Sequence, residues 1–443
     1  MADPRATGAA GAAGAAGAAG AAGAAGAAGA AGATRDPARP GLSPAFLTLF
    51  LLSTGMTTLA IAGTMPILPL LQAHFAALGN AAMLSRATIT IGSIGIVVGA
   101  PLTAWAAARC GRKPLLIGSS LVFALAGCSG YVIDNLPLIV ASRFLVGLSA
   151  ALATTLIVTI VAESYDEAGR HRWMGIMVGI GTLISMGLFP IAGMLGDLGW
   201  RDALLLNLLG VPVAVLGWFG YHSARSSGGR AVSAVSLAHA GAAPSSPGSP
   251  VRTSAPMRLD LMVLGLCTGI AVAAQSIFAP YKLNAIGVHS AAMIGAAMMP
   301  MMLLAALVSP LYGWLRRRAS AALTFGLGFG GLAIGLGLFV AAPTWPFALC
   351  GYGLFGGALG ITMSNLYAVG SQSDNAAHHG ANLGQTLAAY YAAPLLAQLL
   401  LEPLVGSQPT LGLIYLTAFC GVMCVASFAA MLRSPARPAT RAA

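Results

Sequence analysis

Twelve long apolar segments constrain the fold of this chain more than any other feature. They occupy residues 45–70, 84–108, 114–133, 136–162, 172–196, 202–222, 259–280, 290–314, 320–341, 345–369, 380–404 and 410–431. Each is close to the ~20 residues that a helix needs to cross ~30 Å of hydrocarbon. Lipid offers no hydrogen-bond partners to the backbone, so such segments form helices. The sequence therefore predicts an all-α membrane protein with 12 transmembrane helices in two six-helix bundles.

The low charge content excludes several classes of protein. Only 7% of the residues are charged, against about 25% in soluble domains. A soluble enzyme and a nucleic-acid-binding module are therefore excluded, although the net charge is +11. No HExxH, GxSxG or P-loop motif is present, so we expect no enzyme activity, and we expect no metal and no cofactor.

Composition also divides the chain along its length. A glycine recurs at every third position from Gly8 to Gly32, which is a low-complexity pattern without the apolar character of a membrane helix. Ser, Gly and Pro dominate the stretch between the sixth and seventh segments, as in flexible linkers. The predicted organisation is a disordered tail (1–41), a six-helix bundle (42–222), a cytoplasmic linker (223–258), a second six-helix bundle (259–432) and a cytoplasmic tail (433–443).

The distribution of basic residues predicts the orientation in the membrane. With both termini inside, 18 of the 22 Lys and Arg residues fall in cytoplasmic segments, and the other four are Arg86, Arg143, Arg201 and Lys282. Such a bias marks the cytoplasmic side. We therefore expect an integral protein of the cytoplasmic (inner) membrane with both termini in the cytoplasm, and the bias explains the basic charge without nucleic acid.

Several local motifs resemble those of a known family. The turn after the second segment, in APLTAWAAARCGRK (100–113), matches a family loop motif at Arg109, Gly111, Arg112 and Lys113. SPLYGWLRRRAS (309–320) repeats this pattern weakly in the second half. RFLVGLSAA (143–151) is similar to the family's helix 4 motif. The fifth segment is rich in glycine and proline, with Gly179, Gly187, Pro190 and Gly193 as the candidate hinge positions.

With these motifs the chain resembles the drug and metabolite efflux branch of the major facilitator superfamily. The resemblance implies two bundles that rock about a central site. It implies export of a small amphiphilic molecule (a drug, a sugar-like metabolite or a siderophore) in exchange for protons. In the family an acid in the loop motif helps to latch one conformation, and Ala108 takes its place here. The expected partners are a small-molecule substrate, protons and the lipid bilayer, and the expected state is a monomer.

Two other functions stay open. An importer or an uncoupled facilitator is favoured by the absence of any Asp or Glu from the middle of helices 1, 4, 5 and 7. The glycine pattern of the fifth segment, which is typical of antiporters, argues against it. A membrane enzyme or a receptor-like scaffold is a remote alternative.

The candidate substrate and coupling residues are polar or small groups inside the apolar segments. They are Arg143, Gly147, Thr57, Gln275, Asn365, Tyr367, Gln385, Tyr390 and Glu402. An Arg within a helix needs a partner or water, so Arg143 either faces a cavity and pairs with a carboxylate or extends toward the outer surface. Glu402 either titrates in a buried site or lies at the headgroup level.

The motif residues also have two interpretations each. The basic cluster of the loop motif either pairs with Glu163, Asp166 or Glu167 as a conformational clasp, or it only sets the topology. The glycines of the fifth segment either form a hinge between bundles or serve ordinary helix packing.

Overall fold

The computed structural model describes residues 44–164, 167–220, 258–370, 376–405 and 408–433. In these ranges the chain is helical apart from short turns, and no strand occurs. The predicted tail 1–41, nearly all of the predicted linker 223–258 and nearly all of the predicted tail 433–443 lie outside the described residues.

Six membrane-crossing helices form the N-terminal half. They are α1 (Pro44–Ala62, continued by Met65–Ile67 and Leu68–His74), α2 (Ala81–Cys110), α3 (Arg112–Gly127, continued by Ser129–Val132), α4 (Leu136–Ser164), α5 (Glu167–Leu198) and α6 (the 3₁₀ turn Asp202–Leu209 followed by Gly210–Gly220).

Six more form the C-terminal half. They are α7 (Leu259–Ala285), α8 (Ala291–Ala296, Met298–Val308 and Leu311–Arg318), α9 (Ala321–Ala341), α10 (Trp345–Gly370), α11 (Ala376–Val405) and α12 (Pro409–Arg433). Twelve spans in the described residues are long and apolar enough to cross a membrane, which confirms the predicted number.

Prolines divide two segments that the apolar pattern predicts as continuous. A proline has no N–H and its ring clashes with the carbonyl group four residues earlier. Pro66 lies where α1 changes into a 3₁₀ turn. Pro300 and Pro310 lie just after the two breaks in α8, at Ala297 and Ser309. The predicted single helix 290–314 is therefore three helical pieces.

The outer faces of the helices are apolar. Leu125, Val132, Leu198, Phe219 and Leu432 are each more than 70% exposed. Water does not favour such a surface, whereas the acyl chains of a bilayer do. The exposed leucines and valines therefore mark the lipid-facing surface.

Glycines allow very close packing within the N-terminal half. A methyl group placed on Gly147 of α4 would overlap the carbonyl oxygen of Gly92 of α2. One placed on Gly99 would lie 2.7 Å from the carbonyl oxygen of Leu148. The backbones of α2 and α4 are thus in direct contact, as in small-residue packing of membrane helices.

The two ends of the molecule differ in charge. We call the end with the turns Cys110–Lys113 and Leu315–Ser320 the basic end, because it carries Arg109, Arg112, Lys113 and Arg316–Arg318. The opposite end, with the α5–α6 and α7–α8 turns, is called the far end. The two halves pack together near the far end through α5 with α8 and α2 with α11.

Candidate functional site

A cavity lies between the two halves, about midway along the helices. Its volume is about 690 Å³, including space open to solvent. Helices α1, α2 and α5 line one side, and α7, α8 and α11 line the other. The lining residues are Thr58, Ile61, Met65, Ile89, Ser93, Phe189, Gly269, Val272, Ala273, Ser276, Met298, Met301, Met302, Tyr390, Tyr391 and Pro394.

The cavity wall is uncharged and of mixed polarity. It presents hydroxyl groups from Thr58, Ser93 and Ser276. The aromatic ring of Tyr390 packs edge-to-face against that of Tyr391, with the ring centroids 5.1 Å apart. None of the lining residues carries a charge. A largely apolar pocket with a few polar groups suits a small molecule of mixed polarity.

Four methionines give the cavity a soft surface. Met298, Met301 and Met302 share one face of α8 at helical spacing, and Met65 comes from α1 in the other half. Methionine side chains are flexible and polarizable, so they adapt to ligands of different shape and contact aromatic rings favourably. The wall therefore suits several related ligands better than one rigid ligand.

A buried ion pair joins the halves beyond the cavity, on the side of the far end. The Arg86 guanidinium of α2 donates to Glu402 Oε1 of α11 at 2.7 Å. Arg86 is only 1% exposed, and its Cζ lies 5.5 Å from the ring centroid of Phe278 and 5.3 Å from that of Tyr281. One cation of the N-terminal half is thus held by three side chains of the C-terminal half.

Neighbouring contacts extend this seam between α2 and α11. Gln398 Nε2 donates to the carbonyl oxygen of Met83 at 3.1 Å. The Thr90 hydroxyl lies 3.5 Å from the carbonyl oxygen of Pro394. The α2–α11 seam therefore runs from the edge of the cavity to the far end.

A second seam joins α5 to α8. The Asp197 carboxylate at the end of α5 accepts hydrogen bonds from the Ser290 hydroxyl (2.6 Å), the Ala291 N–H (2.5 Å) and the Ala292 N–H (3.2 Å). The first N–H groups of a helix have no partner within it, so a carboxylate there is favourable. Asp197 of one half thus caps α8 of the other.

Arg143 and Gly147 lie inside the N-terminal half. Arg143 is 2% exposed and its Nη2 donates to the carbonyl oxygens of Ala126 (3.1 Å) and Gly127 (2.7 Å). These contacts tie α4 to the end of the first part of α3. They are backbone contacts of a buried cation, and the coupling role of Arg143 stays a prediction.

The other predicted polar residues are distributed over three places. Tyr390 lines the cavity, and Gln275 is fully buried beside Ser276, whose hydroxyl lies 3.3 Å from Gln275 Oε1. Asn365 lies within the C-terminal half and donates to the carbonyl oxygen of Ala321 at 2.9 Å.

Three more candidates lie away from the cavity lining. Tyr367 is buried in the core of the C-terminal half. Gln385 Oε1 accepts from the Arg258 N–H at 3.1 Å near the start of α7. Thr57 is half-buried next to the cavity residue Thr58.

The loop motif forms a tight turn at the basic end. Gly111 has φ +81°, a conformation that other residues rarely adopt. Arg109 lies over the Trp105 ring at 4.9 Å and Lys113 over the Trp218 ring at 5.1 Å. Arg112, which lies between these two residues in the turn, also has an interaction partner in the structure. The side chains of Glu163, Asp166 and Glu167, the predicted partners of this cluster, lie outside the described residues.

The candidate hinge of α5 contacts the other half at one of its glycines. A methyl group on Gly193 would overlap the carbonyl oxygen of Ala291 in α8, whereas one on Gly187 would meet nothing within 4 Å. Pro190 lies inside the helix between them. The surroundings of Gly179 lie outside the described residues.

Sequence reasoning missed Arg86 and Asp197 as residues that join the two halves. Arg86 entered only the charge count, although it lies inside a predicted span just as Arg143 does. The cost of an arginine within a membrane helix applies to both. Asp197 had no comparable signal, since a carboxylate at a helix end is ordinary and its partner is 93 residues away.

A surface cluster at the far end joins three turns of the N-terminal half. Asp134 Oδ1 lies 3.0 Å from His74 Nε2 and 2.9 Å from an Arg201 guanidinium nitrogen. The hydrogen bond from His74, and then the hydrogen bond and charge of Arg201, hold the pKa of Asp134 below its usual value. A lowered folded-state pKa adds stability above the unfolded pKa, and this stability is lost as the pH falls through the folded value.

We therefore expect Asp134→Asn to lower the melting temperature slightly at pH 7. The difference from wild type should shrink as the pH falls below about 4, where the unfolded carboxylate takes up a proton. Because the pair is exposed, the effect is small and decreases with salt. Thermal unfolding of both proteins in detergent across pH checks this. A difference that grows toward low pH would contradict it.

The comparisons with known proteins agree with this architecture. The sequence matches the model of the Major Facilitator Superfamily over residues 46–398. The Multidrug resistance protein B homolog of Mycobacterium tuberculosis (strain CDC 1551 / Oshkosh) is 33% identical over 123 residues, which are 26% of this chain and 22% of that protein. The minor myo-inositol transporter of Bacillus subtilis (strain 168) is 32% identical over 114 residues, which are 25% of this chain and 26% of that protein.

These two matches span less than a third of either relative. The whole fold compares with the crystal structure of a D-xylose-proton symporter, with a TM-score of 0.64 and 16% identity over 86% of this chain and 96% of that chain. The family match covers most of the chain, and the twelve helices enclose a cavity between two six-helix halves. The chain therefore belongs to the Major Facilitator Superfamily, whose members transport small molecules across membranes.

Proposed function

We propose that this transporter exports a small amphiphilic molecule from the cytoplasm by alternating access, driven by the inward movement of protons. The main observation that supports this proposal is the cavity between the halves, whose uncharged wall presents hydroxyl, phenol and thioether groups. A neutral or weakly polar molecule, such as a drug, a sugar-like metabolite or a siderophore, matches this wall. The relative from Mycobacterium tuberculosis, named for multidrug resistance, supports export.

The orientation follows from the charges. The basic end faces the cytoplasm under the positive-inside rule, and both termini are then cytoplasmic. The far end, closed in this structure by the α2–α11 and α5–α8 seams, faces the outside of the cytoplasmic membrane. In this arrangement the cavity receives its substrate from the cytoplasm, and opening of the far end releases it.

The candidate residues have different roles in this proposal. Tyr390 binds substrate, Gln275 positions the cavity residue Ser276, and Glu402 of the α2–α11 seam is the coupling residue. Arg143 and Gly147 position α4 against α3 and α2. Asn365 and Tyr367 hold α10, and Gln385 and Thr57 border the substrate path. Gly179, Gly187, Pro190 and Gly193 let α5 bend, and the turn Arg109–Lys113 guides closure of the basic end.

Import or uncoupled transport of a metabolite is the second candidate function. The relative from Bacillus subtilis, named for myo-inositol, favours it, as does the absence of a carboxylate from the cavity wall. Proteoliposomes with an imposed pH gradient separate the two functions. If transport is an exchange of substrate for protons, substrate enters vesicles with an acidic lumen against its concentration gradient, and protons leave the lumen as it enters. Equal fluxes with and without the gradient would contradict coupling.

We expect Tyr390→Ala to weaken substrate binding without reducing the amount of protein in the membrane. The substitution removes a phenol and an aromatic face from the cavity wall, which should raise KM by about tenfold and change kcat less. Transport by Tyr390→Ala and by the exposed-site control Tyr131→Ala is measured over a range of substrate concentrations. An unchanged KM in the Tyr390 variant would contradict its place in the site.

A further inference from the structure

Two serine hydroxyl groups of the cavity wall already use their hydrogens within their own helices. Ser93 Oγ donates to the carbonyl oxygen of Ile89 at 3.2 Å, and Ser276 Oγ donates to that of Val272 at 3.0 Å. Both carbonyl groups lie four residues earlier, a common arrangement for serine inside a helix. Each hydroxyl group still has an oxygen lone pair for a ligand. Toward the cavity, these two serines are therefore hydrogen-bond acceptors.

Thr58 is in the same state on α1. Its hydroxyl lies 3.2 Å from the carbonyl oxygen of Thr54 and 2.5 Å from the hydroxyl of Ser185. Whether Thr58 donates to Thr54 or to Ser185, its hydrogen is used inside the N-terminal half. The aliphatic hydroxyl groups of the wall, on α1, α2 and α7, therefore form a surface that accepts hydrogen bonds from a ligand.

Tyr390 is the complementary hydrogen-bond donor. Its phenol has no hydrogen-bond partner among the described residues, and its ring is fixed edge-to-face against that of Tyr391. A phenol has a hydrogen to donate as well as an oxygen that accepts. A ligand hydroxyl group satisfies both sides of the wall, because it can donate to a wall oxygen and accept from Tyr390.

The cavity offers no counter-charge to a charged ligand among its lining residues. The charges of Arg86 and Glu402, beyond the cavity, already balance each other at 2.7 Å. A charge that moves from water into such surroundings without a partner is strongly disfavoured. A polyol is also disfavoured, because most of its hydroxyl groups would lose their hydrogen bonds to water against an apolar wall.

The apolar part of the wall favours aromatic rings. The four methionines of the wall surround the same space as the rings of Phe189, Tyr390 and Tyr391. Met298 Sδ accepts a hydrogen bond from the fully buried Tyr352 at 3.4 Å, which fixes one of the thioethers. Sulfur atoms and aromatic rings both contact a further ring favourably, beyond the burial of its area.

We infer that the cavity selects neutral aromatic molecules that carry a hydroxyl group, such as phenols and aryl alcohols, over charged molecules and over sugars. The ring of the ligand lies among the thioethers and aromatic side chains. Its hydroxyl group donates to the oxygen of Thr58, Ser93 or Ser276 and accepts from Tyr390. This inference rests on the proposed function and names the substrate class of its site.

A matched series of ligands on one ring system tests this selection. The probes are 2-naphthol, its methyl ether 2-methoxynaphthalene, the anion 2-naphthoate and the cation 2-naphthyltrimethylammonium. Binding of tritiated 2-naphthol to purified protein in nanodiscs is measured at pH 7 without any gradient, and excess unlabelled 2-naphthol separates binding from partition into lipid. We expect the methyl ether to compete about fivefold more weakly, because it cannot donate a hydrogen bond. The two ions should compete on the order of a hundredfold more weakly.

Substitutions in the wall separate the two hydrogen bonds. Tyr390→Phe should weaken 2-naphthol and its methyl ether by the same factor, about fivefold, because both have an acceptor oxygen. One of Thr58→Val, Ser93→Ala and Ser276→Ala should instead remove most of the preference for 2-naphthol over the ether. Ser427→Ala in α12 is the control. Its hydroxyl also donates to the carbonyl oxygen four residues earlier, at 2.8 Å, but it lies outside the cavity lining, so all affinities should stay unchanged.

Three outcomes would overturn the inference. They are equal affinity for 2-naphthol and either ion, an unchanged preference for 2-naphthol over the ether in all three hydroxyl variants, and no displaceable binding of 2-naphthol to monodisperse wild-type protein. The inference and the proposed function fail separately, because binding is measured without a gradient. Selective binding of 2-naphthol without proton-driven transport would refute antiport and keep the selection. Proton-driven transport of the naphthyl cation, without binding of 2-naphthol, would keep antiport and refute the selection.

Discussion

Gly193→Leu is expected to reduce transport more than tenfold while the protein still folds and reaches the membrane. Any side chain at this position overlaps the carbonyl oxygen of Ala291 and approaches the Cα of Ala292 to 2.6 Å. Both atoms belong to backbone of the other half, so neither can rotate away. The clash disappears only when α5 and α8 separate, and a state that cannot form removes one half of the transport cycle.

Two measurements follow this variant. Transport is assayed in proteoliposomes. The conformation is reported by a single thiol in the cavity, Met298→Cys in a protein whose six native cysteines are replaced, which is labelled by a membrane-impermeant maleimide added outside intact cells. We expect Gly193→Leu to lose transport and its cavity thiol to be labelled faster than that of the control. Gly421→Leu is the control, because a methyl group there meets nothing within 4 Å. Slow labelling of Gly193→Leu, equal to that of the control, would show that the halves do not need to separate to accept the leucine.

Gly147→Leu is expected to prevent folding. Here the overlap is with the carbonyl oxygen of Gly92, within the N-terminal half, where α2 and α4 pack along much of their length. Separation of the two halves relieves nothing. Overpacking of a tight core costs about 1–3 kcal/mol or more, and backbone against backbone lies at the upper end. Proteins are stable by only about 5–15 kcal/mol.

The amount of folded protein measures this effect. Gly147→Leu should give little monodisperse protein after detergent extraction, and what remains should melt at a lower temperature. The control is Gly118→Leu in α3, where the side chain would extend into open space, and its yield should equal that of wild type. A stable, monodisperse Gly147→Leu protein would contradict the close packing of α2 and α4.

The sequence was sufficient to predict the number of helices and the family. Membrane crossing depends on local composition, so segments such as 320–341 are visible without any partner. The breaks in α8 were visible in principle at Pro300 and Pro310, but an apolar count does not register them. Proline positions alone do not locate breaks either, because Pro101, Pro190 and Pro280 lie inside unbroken helices.

The contacts between the halves were not visible in the sequence. Arg86 and Glu402 are 316 residues apart, and neither lies in a motif. Arg143 received most weight because a family motif surrounds it, and the structure places it on the backbone carbonyls of Ala126 and Gly127. A motif shows that a residue belongs to a pattern, whereas only the packing shows which half its partner belongs to.

The central claim is that two rigid six-helix halves rock about the cavity, with the far end closed in the structure described here. Spin labels test it as two distances between the halves. At the far end they replace Leu198 and His289, which are both exposed. At the basic end one label is attached to the exposed native Cys110 and the other replaces the exposed Arg317. From wild type to Gly193→Leu, we predict that the far-end distance lengthens while the basic-end distance shortens. If the distances at both ends are the same in Gly193→Leu as in a wild-type protein that transports, the claim is contradicted.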